Sequence, residues 1–202
     1  MISIAEKYRL SFSWLIGLIF ILLILFSSTP YENTFLYELF ELLGYILIVI
    51  ATLGRIWSTV YIGGRKDEEL LKDGPYSIIR NPLYVFSFIG AIGIIISSGK
   101  LILLFIILPF FIYNYAFVIK NEEKRLLKLF GKEFSDYCKK VNRIVPNIKN
   151  YWSRDNFIIY PSIFFRSMVH ASFFIWLFIL LEFLEYFKTN KIFLIDIINL
   201  PF

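Results

Sequence analysis

The chain has 202 residues, 58% of them hydrophobic and 20% aromatic, with a mean hydropathy of +0.68, which excludes an ordinary water-soluble fold. Twenty-one Lys and Arg against 16 Asp and Glu leave a formal charge of +5; in so apolar a chain this excess reads as orientation charge at a membrane and not as a nucleic-acid surface. A single cysteine, Cys138, excludes an intrachain disulfide, and with a single histidine, His170, there is no Cys/His cluster and no metal is expected.

A helix needs about 20 mostly apolar residues to cross the hydrocarbon core, because in lipid it must satisfy its own backbone. From Leu10 to Tyr31 the sequence carries no charge, and this run predicts the first span. It is longer than the apolar core of a typical signal peptide and no small-residue cleavage site clearly follows, so it is read as a mature helix. A second span is predicted from about Phe40 to Tyr61, interrupted by Arg55, which must snorkel, face the bundle interior or find a partner. Asn81–Gly99 and Leu101–Ile119 are separated only by Lys100, with Ser97, Ser98 and Gly99 supplying turn chemistry, and predict a tight helical hairpin. A last span is predicted from about Ser167 to Phe187, after a break at Pro161, with Glu182 and Glu185 marking its outer end. Between Glu122 and Val141, Leu126, Leu127, Phe130, Phe134, Tyr137 and Val141 recur at three- and four-residue steps among basic residues. That spacing predicts an amphipathic interfacial helix, with Gly131 as a break.

The fold class read from this pattern is all-α: a polytopic membrane helical bundle of about five transmembrane helices with a cytoplasmic amphipathic helix. With no internal repeat or linker, residues 1–202 form a single integral membrane domain, with its core at about 55–146 and an extra helix at about 163–188. Lys and Arg mark the cytoplasmic side. The loop Tyr61–Arg80 holds Arg65, Lys66, Lys72 and Arg80, and Lys120–Lys149 holds nine basic residues against four acidic ones. Both are expected in the cytoplasm, together with the N-terminus, which carries Lys7 and Arg9.

A membrane enzyme with a water-soluble cofactor builds its site where polar residues meet the lipid boundary, and two segments offer this. The first runs from Glu68 to Tyr84: Gly74-Pro75 marks a turn, and Pro82 suits the first turn of a helix whose N–H groups favour an anionic group. The same features would serve a simple helix cap. The second is Asn121-Glu122-Glu123-Lys124-Arg125, where paired carboxylates accept hydrogen bonds from ribose hydroxyls or an ammonium and attract a sulfonium; a solvated helix start would look the same.

Gly74-Pro75-Tyr76, Arg80-Asn81-Pro82-Leu83-Tyr84, Glu122-Glu123, Phe130-Gly131, Tyr137 and Arg143-Ile144-Val145-Pro146, in that order, resemble the isoprenylcysteine carboxyl methyltransferase family and the wider group that includes the membrane phospholipid methyltransferases. The resemblance covers roughly Arg55 to Pro146. It implies S-adenosylmethionine held in a cytoplasm-facing pocket with a lateral opening toward lipid. By motif, Glu68, Glu69, Leu70, Leu71, Tyr76, Arg80, Asn81, Pro82 and Tyr84 line that cofactor, Glu122 and Glu123 bind it from the other side, and Tyr61 is a weaker match to a further contact. Catalytic and substrate-binding residues are not assigned.

Asn81 stands where the family usually has histidine, and its amide donates and accepts hydrogen bonds without titrating near neutral pH. Val118 stands where the isoprenylcysteine enzymes carry an arginine associated with the substrate carboxylate, so the expected partner is a lipid-borne or small amphipathic methyl acceptor other than prenylcysteine, beside membrane lipids and no nucleic acid. The expected location is a bacterial-type cytoplasmic membrane. Two other readings stay open: an NADPH-dependent reductase of the sterol type, with a comparable helical layout, and a non-catalytic membrane scaffold. Outside the motifs, Arg55 is read as snorkelling, His170 as an interfacial residue and Cys138 as unreactive, with Trp14, Trp57 and Trp152 near span boundaries.

Overall fold

The structure, a computed structural model, describes residues 4–28, 34–156, 159–189 and 198–199. Among the described residues there are seven α-helices: α1 (Ile4–Leu25), α2 (Phe35–Ile62), the single turn α3 (Pro75–Ile78), α4 (Pro82–Ser97), α5 (Leu104–Lys140), α6 (Pro161–Ala171) and α7 (Phe173–Thr189). Beyond short 3₁₀ turns, the other regular structure among the described residues is a two-residue parallel pairing of Ser27–Ser28 with Ile198–Asn199.

Among the described residues, three helical stretches are long and apolar enough to cross a membrane, Phe35–Ile62, Leu101–Lys140 and Pro161–Phe187. The sequence reading of five spans is therefore met by length in three. Pro82 opens α4 and Ser98 and Gly99 (φ 69°) close it, leaving a helix about 24 Å long against a hydrocarbon core of about 30 Å. In the first run the shorter apolar segment is Leu15–Leu25, and the predicted end at Tyr31 lies outside the described residues. The hairpin forms as expected, α4 turning into α5 through the 3₁₀ turn Leu101–Leu103. Pro161 opens α6 at its first turn, where the missing N–H costs nothing, and Ser172 separates α6 from α7 within the last stretch.

The predicted amphipathic segment is the direct continuation of α5, in which Gly131 (φ 50°, ψ −119°) breaks the helical path. Phe134, Tyr137 and Val141 are buried against Leu70 with Leu126 and Phe130 around them, so this face packs onto the preceding loop. Leu127, assigned to the apolar face from the sequence, points outward at 48% exposure.

The main seam of the bundle joins α2 to α4 and is built from small residues. Gly44, Ala51, Gly54 and Ser58 of α2 and Gly90, Ala91, Gly93 and Ser97 of α4 are buried. A Cβ on Gly44 would lie 2.5 Å from Ser97 Cβ and 2.7 Å from the Gly93 carbonyl oxygen. Lipid tails are as apolar as leucine, so helices in a membrane gain by letting backbones approach closely. Around this seam Phe20, Ile24, Ile48, Ile94, Ile95, Leu103, Phe174 and Leu181 form the main apolar cluster. Leu39, Leu42, Ile46, Val49, Ile50 and Leu53 of α2 and Phe105, Ile106, Ile112 and Phe117 of α5 remain on the outside, the surface a bilayer covers. At the end away from the basic loops, Tyr37 donates to Glu185 at 3.3 Å and ties α2 to α7.

Candidate functional site

The loop between α2 and α4 folds over the basic end of the bundle and is held there by charge. Asp73 is fully buried and accepts hydrogen bonds from both Arg65 terminal nitrogens, at 3.1 and 3.2 Å, while Arg154 Nε lies 3.3 Å away. Glu69 accepts from Arg65 and, at 2.7 Å, from Arg154; those two arginines hold its carboxyl below the usual carboxylate range. Burial works against the Arg65 charge, but the Asp73 and Glu69 partners raise its pKa overall. Gly74 (φ 56°) turns the chain with its α-carbon against the Tyr61 ring, where a Cβ would come within 2.3 Å.

The segment after α5 closes the same loop from below. Arg80 N–H donates to the Asn142 carbonyl at 2.9 Å, Asn147 N–H to Ile78 at 3.0 Å and Gly74 N–H to Trp152 at 2.7 Å, and the Asn81 amide donates to the Arg143 carbonyl at 3.2 Å. The Arg143–Pro146 motif thereby acts as backbone scaffolding for the turn that precedes α4.

These elements enclose a cavity of about 520 Å³, within the range of small-molecule sites. Of the residues singled out from the sequence, Glu69, Leu70, Leu71, Tyr76, Arg80, Asn81, Pro82, Tyr84, Glu122 and Glu123 all border it. Glu68 does not; it is exposed on the turn after α2. Tyr61 is also off the wall, buried against Gly74 and hydrogen-bonded to Ser153 at 2.8 Å. Val118 is not on the wall either.

Both carboxylates of the second motif are already held. Glu122 accepts from Arg125 at 2.6 Å. Glu123 accepts from Arg80 at 2.9 Å and from Arg143 at 2.6 Å, which raises the Arg143 pKa through that hydrogen bond and charge. A carboxylate has about four acceptor positions, so each retains capacity toward a ligand. Arg80, expected as a ligand contact, spends its Nη1 on Glu123 and on Cys138 Sγ, both at 2.9 Å, so the cysteine belongs to this brace. Tyr76 is buried, its hydroxyl has no hydrogen-bond partner among the described residues, and burial pushes its pKa well up. Its own carbonyl accepts from Tyr137 at 2.7 Å.

The sequence reading missed the far wall: Arg55, Thr59, Ser87, Tyr115 and His170, from α2, α4, α5 and α6. One signal pointed there, the charge at Arg55 inside a predicted span. His170, set aside from the sequence, borders the cavity, and its carbonyl accepts from Arg55 at 3.3 Å. Among the described residues no group of three or more His, Cys, Asp or Glu side chains is arranged to hold a metal ion.

S-adenosylmethionine fits what the wall presents. Glu69, Glu122 and Glu123, with Asp67, give the rim acceptors for a ribose-bearing molecule with sulfonium and ammonium groups, while Leu70, Leu71, Leu126 and Phe134 supply an apolar floor. The unpartnered Tyr76 hydroxyl provides a buried donor.

Comparison with known proteins gives a consistent picture. Residues 39–133 match the family described as phospholipid methyltransferase. A protein-S-isoprenylcysteine O-methyltransferase of Schizosaccharomyces pombe is 35% identical over 98 residues, covering 47% of this chain and 41% of that protein. A nickel-cobalt-cadmium resistance protein of Alcaligenes xylosoxydans xylosoxydans is 26% identical over 94% of this chain and 88% of its own length. A cobalt-zinc-cadmium resistance protein of Cupriavidus metallidurans is 29% identical over 84% of this chain and 78% of its own. No solved structure matches the chain. The matched segment spans both motifs, from the second turn of α2 to just past Gly131, and supports a membrane methyltransferase.

Proposed function

Because residues 39–133 match the phospholipid methyltransferase family, we propose that this protein transfers a methyl group from S-adenosylmethionine to a lipid-borne or amphipathic acceptor, at a site on the cytoplasmic rim of a multi-pass bundle. The observation that carries this reading is the convergence of the Tyr76–Tyr84 and Glu122-Glu123 motifs, 38 positions apart at their nearest residues, on one cavity wall beneath the basic loops.

When bound, S-adenosylmethionine supplies an electrophilic methyl whose departure leaves a neutral thioether. The chain's own residues then bind, orient and exclude water. Glu122, oriented by Arg125, and Glu123, oriented by Arg80 and Arg143, would accept from the hydroxyl and ammonium donors of the cofactor. Tyr76, buried beside Tyr84 and Tyr137, would donate to it. Leu70, Leu71, Leu126 and Phe134 keep the reacting end dry, so displacement gains from positioning in a water-poor site. The same walls would hold the acceptor's nucleophilic atom beside the cofactor's methyl group and keep water from both. A carboxylate acceptor is ionised near neutral pH and needs no base, in keeping with a wall that presents no histidine at Asn81. The names of the two near-full-length relatives make membranes of cells under nickel, cobalt, zinc or cadmium load the place to search for the acceptor.

Calorimetry on detergent-solubilised protein tests the reading. Wild type is expected to bind S-adenosylmethionine saturably, with affinity lowered tenfold or more in Glu122→Ala and Tyr84→Ala while thermal unfolding stays cooperative. A folded wild type that binds none overturns it, and displacement by NADPH would then favour the reductase.

A further inference from the structure

At its membrane end the cavity changes character. Arg55 lies about two helical turns before the end of α2 at Ile62, well inside the apolar part of the bundle. Its guanidinium donates to Ser87 Oγ on α4 and, at 3.3 Å, to the His170 carbonyl on α6. It stands 5.5 Å over the Phe174 ring. Tyr115 of α5 adjoins Ser87 on the same wall.

Every one of these partners is neutral. The other arginines bordering the cavity are matched to carboxylates, Arg80 to Glu123 and Arg125 to Asp67 and Glu122. Arg65, Arg143 and Arg154, in the surrounding loops, are matched as well. Among the described residues the ion pairs include none for Arg55, and its Nε is buried with no hydrogen-bond partner. A fixed cation facing an apolar-walled cavity at membrane depth is costly and is kept where it meets an opposite charge or a ligand. A guanidinium with a spare planar donor suits an oxyanion, which it takes with two parallel hydrogen bonds.

We propose that Arg55, with Ser87 and Tyr115, recognises an oxyanion on the methyl acceptor, so that the acceptor is an anionic amphiphile entering the cavity at its membrane end. This rests on the methyltransferase reading above, in which the cofactor occupies the opposite, acidic rim. The two ends then divide the cavity by charge: carboxylates for the cationic cofactor, one arginine for the anionic acceptor. A carboxylate on an apolar chain and the phosphodiester of a phospholipid both present this chemistry.

The test measures binding of three probes to detergent-solubilised full-length protein saturated with S-adenosylmethionine: dodecanoate, dihexanoyl phosphatidylglycerol and the neutral dodecanol. At least one anionic probe is expected to bind wild type tenfold or more tightly than dodecanol, and which one it is separates a carboxylate from a phosphodiester. Arg55→Gln is expected to abolish that preference while S-adenosylmethionine and dodecanol binding change less than threefold. A role confined to holding α6 against α2 would instead weaken all ligands together, and that result overturns the proposal, as does a preference unchanged in Arg55→Gln. Should Arg55→Gln fail to fold, Arg55→Lys keeps the charge and loses the paired donation. A preference reduced threefold or more then supports the proposal, and an unchanged one overturns it. Failure of the methyltransferase reading is distinct: wild type that binds no S-adenosylmethionine at all. Wild type that binds S-adenosylmethionine but takes dodecanol as well as both anions overturns the acceptor proposal alone.

Discussion

The α2–α4 seam and the loop cap above it hold the same protein together by opposite means. Along the seam, Gly44 and Gly93 remove side chains so that two backbones touch, and Gly54 makes room for the Phe86 ring. In the cap, Arg65, Glu69, Asp73 and Arg154 fill the space with charge, around a carboxylate that has no exposure at all. The difference follows the solvent. In lipid, hydrophobic burial gives no preference for one helix over another, so close packing decides. At the aqueous rim, the loop adds bidentate ion pairs to the packing of Leu70 against Phe134 and Tyr137. The candidate site lies where the two regimes meet, and it draws Arg55 and Ser87 from the first and Glu69 and Tyr76 from the second.

The sharpest way to break the comparison is at Asp73. Asp73→Asn leaves Arg65 and Arg154 without their buried counter-charge and is expected to cost about 3 kcal/mol or more, read as a lower thermal midpoint in detergent. Gly44→Leu attacks the seam. The side chain meets Ser97 and the Gly93 carbonyl, and overpacking of this kind costs about 2 kcal/mol. If it cost no more than Leu53→Ala on the exposed face of the same helix, the close-packed seam would not be what joins α2 to α4.

Tyr76→Phe separates fold from site. Removing a buried hydroxyl with no partner is expected to leave the unfolding midpoint equal or slightly higher, since an unsatisfied polar atom is itself costly, while lowering S-adenosylmethionine affinity about tenfold, or about 1.4 kcal/mol. Equal affinity in the variant would remove Tyr76 from the site.

Acid probes the cap through Glu69. The Glu69 carboxyl is held below its ordinary value of 4.5 in the folded protein. Its contribution is therefore complete above that value and is lost as pH falls through the lower folded-state value. Thermal midpoints between pH 7 and pH 3 are expected to drop at the acid end, with a shallower drop in Glu69→Gln. The smallest effect belongs to Glu68→Ala, which stands off the cavity and is expected to change neither the midpoint nor cofactor affinity.

Much of the site was legible because its motifs are local. Gly74-Pro75, Pro82 and the Glu122-Glu123 pair declare a turn, a helix start and a charged helix exit from their neighbours alone. Glu68 shows the limit of that reasoning. It is adjacent to Glu69 and chemically identical, yet the turn after α2 points one carboxylate toward the cavity and its neighbour to solvent. Leu127 fails for the same reason within α5, where Leu126 and Phe130 pack around Leu70 and Leu127 turns outward.

The sequence by itself determined that this is a membrane protein of apolar helices with basic loops on one side, and where its two polar motifs lie, because hydrophobic length, charge and turn chemistry act over a few residues. Only the tertiary structure decided that α4 is a short helix enclosed by longer ones, that Arg143–Pro146 braces the turn before it, and that Arg55, Ser87, Tyr115 and His170 share a wall. Those relations join residues up to 115 positions apart. They depend on how closely α2 and α4 approach, a matter of packing geometry that no local pattern encodes.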